Sequence, residues 1–220
     1  MKIVIPGGTG QVGTNLARHF HAEGHDVIVL SRTEANAPWR VVKWDGQNLG
    51  AWVNELEGAD ALINLAGRVV NCRYNYKNRC EIWSSRSRSV RILGKALSTL
   101  SVPPRVWLQA GTATIYAHSF DTPNDEYTGI IGGTETDSPD KWRFSIDVAR
   151  AWEGEFALVG APNTRKVILR SALTMNYDKG SIFDYLLWLV RVGIGGTAGS
   201  GKQYVSWIHY EDFINAVKFA

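Results

Sequence analysis

Cysteine is scarce in this sequence: Cys72 and Cys80 are the only two in 220 residues. Two thiols cannot build the disulfide framework of a small secreted domain. They fit a reducing compartment, so both are expected as free thiols in a cytoplasmic protein. An excess of one charge is also lacking. With 24 basic and 21 acidic residues, the formal charge of +3 is too small to call for a nucleic-acid or membrane partner. Long apolar runs are missing as well. The run from Met1 to Ile5 meets Pro6-Gly7-Gly8 too soon to act as a signal-peptide core. The stretch 182–194 is broken by Asp184 and Arg191 and is too short to span a bilayer.

What remains is an ordinary globular composition, 45% apolar and 20% charged, sufficient for one sizeable core. The nine Trp residues are scattered and mostly suit core or pocket walls. Strand-like runs at 2–5, 26–30, 41–44, 61–65, 106–109 and 166–170 alternate with helical patterns at 11–23, 49–56, 78–100 and 142–158. That alternation predicts a Rossmann-type, doubly wound parallel sheet covered on both faces. The segment 117–140, rich in Asp, Thr, Gly and Pro, is expected to be a long functional or mobile loop. After it come a helix at 182–191, a Gly-rich turn, a strand at 204–208 and a helix opening at Glu211. The expected organisation is a nucleotide-binding domain over 1–170 and a partial, interleaved substrate-binding region over 171–220. The sequence stops inside its last helix, so the C-terminal region is expected to be incomplete.

Gly7, Gly10 and Gly13 give GxxGxxG spacing directly after a strand and into a helix. The first glycine permits a sharp turn, the second the approach of a diphosphate, the third close helix–strand packing. Thr9, Gln11 and Val12 complete the loop, and the helix N-terminus presents N–H groups and a positive dipole end to phosphates. NAD sites place a carboxylate at the end of the second strand, whereas this chain has Ser31-Arg32. A hydroxyl and a guanidinium suit a 2′-phosphate, which favours NADP(H) over NAD(H), with a solvated surface Arg as the alternative.

These residues, with Trp44-Asp45, Leu62-Ile63-Asn64-Leu65-Ala66-Gly67, Ser85-Arg86, Trp152-Glu153, Leu169-Arg170-Ser171, Gly199-Ser200-Gly201-Lys202-Gln203 and Trp207-Ile208-His209, carry a resemblance. Together they resemble the extended short-chain dehydrogenase/reductase superfamily, and within it the atypical SDR39U1-type epimerase-family proteins, over nearly the whole chain. By that resemblance Asp45 lies near the adenine and Leu65 and Ala66 border its ribose, while Gly67, Glu81, Arg86 and Thr174 match cofactor-binding positions. The residues themselves support only Arg86: the stretch 68–91 carries seven basic residues and one acid, as a helix facing phosphates would. A solvated basic face is the other reading.

The resemblance also implies a Tyr within YxxxK as proton donor and a Ser or Thr that holds the substrate oxygen. Thr112 in Ala110-Gly111-Thr112-Ala113-Thr114-Ile115-Tyr116 takes the Ser/Thr position. The YxxxK is absent. Its expected positions fall on Phe144 and Val148, or on Ser145 and Ala149, and Arg86 stands where an Asn is common. Tyr116 and His209 are the remaining candidates for the acid, although Tyr116 could pack beneath the loop and His209 with Asp212 could be a helix-entry turn. Residues 196–203 match GxxxxGK, but Gln203 replaces the magnesium-binding hydroxyl, so no ATP or metal site is expected. Lys202 and Gln203 are instead placed on the substrate side or in a plain turn.

Two functions compete. One is an NADP(H)-dependent, epimerase-like oxidoreductase acting by hydride transfer on a small polar molecule of sugar-nucleotide type. The other is a non-catalytic protein sensing NADP(H) redox state on the same scaffold, which the missing YxxxK favours. Nucleic-acid binding through 68–91 has little support, because its aromatics are not spaced as a stacking platform.

Overall fold

The computed structural model describes residues 1–136, 138–197 and 199–220. Asp137 of the long loop and Ala198 of the GxxxxGK-like turn lie outside them. The chain runs β1 (Lys2–Pro6), α1 (Gln11–Ala22), β2 (Asp26–Ser31), β3 (Arg40–Lys43), β4 (Ala61–Asn64), α2 (Tyr76–Leu97), β5 (Val106–Ala110), α3 (Asp140–Leu158) and β6 (Arg165–Leu169). Then follow β7 (Leu173–Met175), α4 (Ile182–Arg191), β8 (Trp207–His209) and α5 (Tyr210–Phe219). Six strands form one sheet in the order β3-β2-β1-β4-β5-β6, every pair parallel. The order reverses between β1 and β4, and ligands of open α/β sheets bind at the carboxyl ends of the strands flanking such a reversal.

Alternate residues of each strand face opposite sides, which divides the core in two. Val4, Ile28, Leu30, Leu62 and Trp107 pack against α2 and α3 through Val90, Leu93, Leu97, Trp152 and Phe156. Ile3, Ile5, Val27, Val29, Ile63 and Leu108 pack against Leu16, Ala17 and Phe20 of α1 and Phe213, Ile214 and Val217 of α5. The predicted α/β architecture is therefore the observed one.

Two local expectations fail. The helix expected at 49–56 is a single 3₁₀ turn, Ala51–Glu55. It is led by an extended Gly50, and Trp52 donates from Nε1 to the Asn48 carbonyl (3.0 Å), closing the turn on itself. The strand expected at 204–208 is only Trp207–His209, and its partner β7 was not anticipated. Three-residue strands are too short to show alternation. The tryptophans also divide: Trp44, Trp52, Trp107 and Trp152 are buried, but Trp83, Trp188 and Trp207 are exposed.

Candidate cofactor-binding site

The turn after β1 is shaped by contact as much as by torsion. Gly7 has φ +75°, and a Cβ there would lie 2.8 Å from Ala66 N and Cα, so the loop presses directly on the end of β4. A Cβ at Gly13 would collide with Gly8 Cα, which is how α1 approaches the strand. Gly10 differs: its side is open, with only Gly7 O at 3.5 Å. Gly10 is also the extended N-cap of α1, no side chain caps the helix, and its first turn holds no acid. The N–H groups that a helix N-terminus leaves unpaired thus meet no capping side chain among the described residues, and the space beside Gly10 is open. This arrangement fits a diphosphate.

The flanking strand ends complete the cleft. Ser31 is buried, its Oγ accepting from Thr33 N (3.3 Å) and lying 3.4 Å from Thr9 Oγ1. Arg32 is exposed and forms no ion pair among the described residues. Asp45 follows β3 and Trp44; hydrogen bonds from Asn48 and Gln47 hold its carboxyl below the usual carboxylate range. On β4's end, Leu65 N donates to Pro6 O (2.9 Å) and Ala66 N to Asn64 Oδ1 (3.1 Å). Asn64 is fully buried and donates from Nδ2 to Gln109 Oε1 (2.9 Å), which fixes the edge that Gly67 continues. The fold thus gathers Gly7, Thr9, Gly10, Gln11, Val12 and Gly13 with Ser31, Arg32, Asp45, Leu65, Ala66 and Gly67 along one edge of the sheet.

Beyond β5, Thr112 caps a 3₁₀ turn (Ala113–Ile115), accepting from Thr114 N (3.2 Å) and donating to Thr114 Oγ1 (3.0 Å). Tyr116 closes that turn. Its hydroxyl accepts from Arg170 Nη1 (2.8 Å), and Arg170 makes a two-point pair with Glu153 at 2.9 and 2.7 Å. That pair, first through Glu153, raises the Arg170 pKa. The Tyr116 ring packs under Arg170 and beside Gly129 of the long loop. A concavity of about 390 Å³ opens in that loop, lined by His118, Thr122, Asn124 and Ile130 among others.

The places expected for YxxxK are occupied by packing. Phe144 stacks edge-on with Tyr74 (5.5 Å), Val148 and Ala149 are buried, and Ser145 bonds back to the Lys141 carbonyl. Guanidinium groups of α2 lie over aromatic rings of α3: Arg79 over Phe144 at 4.9 Å and Arg86 over Trp152 at 5.1 Å. Arg86 Nη1 also donates to the carbonyls of Ile82 (2.9 Å) and Arg68 (3.2 Å), and a Cβ at Gly67 would lie 3.3 Å from Arg86 Cζ. Burial pushes the Arg86 guanidinium below its ordinary pKa.

Three of the seven basic residues of the stretch 68–91 are neutralised by carboxylates. Arg68 pairs with Glu81, Arg79 with Asp140 and Arg91 with Glu155, while Arg88 donates to Gln47. Glu81 is therefore engaged with Arg68. Thr174 lies on β7 of the two-stranded sheet, and just after it Asn176, buried, accepts from Gln11 Nε2 at 2.6 Å through its Oδ1. His209 is the N-cap of α5, between the rings of Tyr177 and Tyr210, and Asp212 lies in that helix's first turn. Tyr74, Arg79 and Asn176 were not legible as site residues in the sequence. An aromatic and a basic residue flanking the start of α2 were the only signal for the first two, and Asn176 carried none.

Comparison with known proteins agrees with this geometry. The model of the NAD dependent epimerase/dehydratase family matches residues 3–136. The human epimerase family protein SDR39U1 is 32% identical over 224 residues, covering 100% of this chain and 70% of that protein. Its crystal structure with NADPH superposes with a TM-score of 0.82 at 29% identity, covering 99% of this chain and 69% of the other. A nucleoside-diphosphate sugar epimerase from Corynebacterium glutamicum superposes with a TM-score of 0.72 at 26% identity, covering 98% and 42%.

Proposed function

The chain belongs to the NAD dependent epimerase/dehydratase family, and from that premise we propose that it binds NADP(H) and acts as an epimerase-like oxidoreductase on a small, sugar-nucleotide-type substrate. The observation that carries the cofactor choice is Arg32: exposed and unpaired among the described residues, beside Ser31, on the strand end nearest the uncapped α1. A carboxylate at this place would repel a 2′-phosphate, and a guanidinium can grip it through two hydrogen bonds. The NADPH in the human SDR39U1 crystal supports the same choice.

In this reading residues 1–170 hold the cofactor and 171–220 contribute to the substrate side. NADP(H), when bound, supplies or receives the hydride. Gly10 and the first turn of α1 hold its diphosphate, and Leu65, Ala66 and Gly67 border the dinucleotide across β4. Thr112 orients the substrate oxygen from its hydroxyl. Tyr116 accepts its hydrogen bond from Arg170, which leaves its own proton to be donated toward the substrate side. The two free cysteines fit a cytoplasmic setting. A second reading, a redox-sensing protein without turnover, is favoured by one observation: Phe144 and Val148 fill the places of the usual Tyr and Lys. Turnover of the nicotinamide across sugar nucleotides and ketones decides between the two.

The cofactor reading is tested by titrating NADPH and NADH against the tryptophan fluorescence of wild type and Arg32→Gln. Wild type should favour NADPH. The variant should lose on the order of tenfold or more in NADPH affinity, the worth of a charged hydrogen-bonded pair, with NADH little changed. Equal wild-type affinity for the two nucleotides would remove Arg32 from the cofactor site.

A further inference from the structure

We propose that Arg86 makes the nicotinamide end of this site select for redox state, holding NADPH more tightly than NADP⁺. The proposal rests on the dinucleotide reading above. The diphosphate is assigned to α1 and the 2′-phosphate to Ser31 and Arg32 on the β2 side, so the nicotinamide half runs the other way, over the ends of β4 and β5. Those ends are Gly67 and Gly111-Thr112. Arg86 lies against Gly67, with its Cζ 3.3 Å from where a Cβ there would stand.

The charge at Arg86 is not neutralised locally. Each other charged group named on this side has a partner: Arg68 with Glu81, Arg79 with Asp140, Arg170 with Glu153. Arg86 has two backbone carbonyls and the face of Trp152, and no carboxylate among the described residues. Among the described residues, the one ionisable group that favours its charged form is the Tyr74 phenol. Arginine nevertheless stays protonated, because its ordinary pKa lies far above neutrality. One net positive charge is thus fixed in a partly desolvated position beside the crevice.

The two forms of the cofactor differ by one charge at the nicotinamide ring. The oxidised ring is cationic, and the dihydro ring is neutral. A fixed cation nearby destabilises the first and leaves the second almost unaffected. For unit charges about 10 Å apart at an effective dielectric constant of ~20, the difference is on the order of tenfold in affinity. The usual Asn at this position would exert no such bias.

The test is the ratio of dissociation constants for NADP⁺ and NADPH, by calorimetry, in wild type, Arg86→Gln and Arg86→Lys. Wild type should bind NADPH tighter by on the order of tenfold. Gln should bring the ratio close to one, and Lys, which keeps the charge, should preserve it. NADP⁺ binding as tightly as NADPH in wild type overturns the proposal without any variant. A ratio unchanged by Gln, or shifted alike by Gln and Lys, also overturns it, since charge would not be the cause. Failure of wild type to bind either nucleotide is a different result: it removes the cofactor reading, and this inference with it.

Discussion

At the scale of single residues, the glycine triplet carries unequal duties, and only the structure separates them. Gly7 is needed for its torsion and its contact with Ala66, Gly13 for its contact with Gly8, and Gly10 for the space it leaves open. Gly13→Ala should therefore destabilise the fold. Overpacking at backbone contact costs about 2 kcal/mol, or roughly 5 °C in Tm for a chain of this size, read by thermal unfolding without ligand. A melting curve like that of wild type would contradict the close approach. The spacing of the glycines and the Ser31-Arg32 pair were legible because they are local in sequence. The Arg86–Trp152 and Arg79–Phe144 stacks were not, because each joins two helices whose relative rotation no periodicity fixes.

At the scale of elements, α2 and α3 are tied at two levels by Arg79–Asp140 and Arg91–Glu155. Each guanidinium holds its carboxyl below the usual carboxylate range. A carboxyl depressed in the folded state contributes stability above its unfolded pKa and loses it as pH falls through its folded value. The Tm should then be flat near neutrality and begin to fall below about pH 4. Asp140→Asn combined with Glu155→Gln should flatten part of that fall while changing the Tm at pH 7 only slightly, since exposed pairs are weak. An acid limb identical to wild type would show that these pairs do not link the helices. The longer helices were readable from their apolar stripes. The 3₁₀ turn at Ala51–Glu55 was not, because Trp52 and Leu56 mimic a helical stripe over a segment that one Trp hydrogen bond closes early.

For the whole molecule, the parallel sheet was legible because each strand–helix alternation is local and right-handed crossovers leave few ways to order the strands. The order reverses between β1 and β4, and the glycine loop and residues 65–67 follow those two strands. The acid–base half of the site was less legible. The long loop after Tyr116, the Glu153–Arg170 pair and the return of Asn176 to Gln11 are contacts between distant segments, which one sequence does not encode as a pattern.

A dinucleotide lying across the carboxyl edge of β1, β2 and β4 would shield that edge from solvent. Amide hydrogen exchange with and without saturating NADPH reads that edge directly. Residues 7–13, 31–33 and 65–67 should slow together, with the α5 side unchanged. Exchange at 7–13 that stays the same while NADPH is bound would place the nucleotide elsewhere on the molecule.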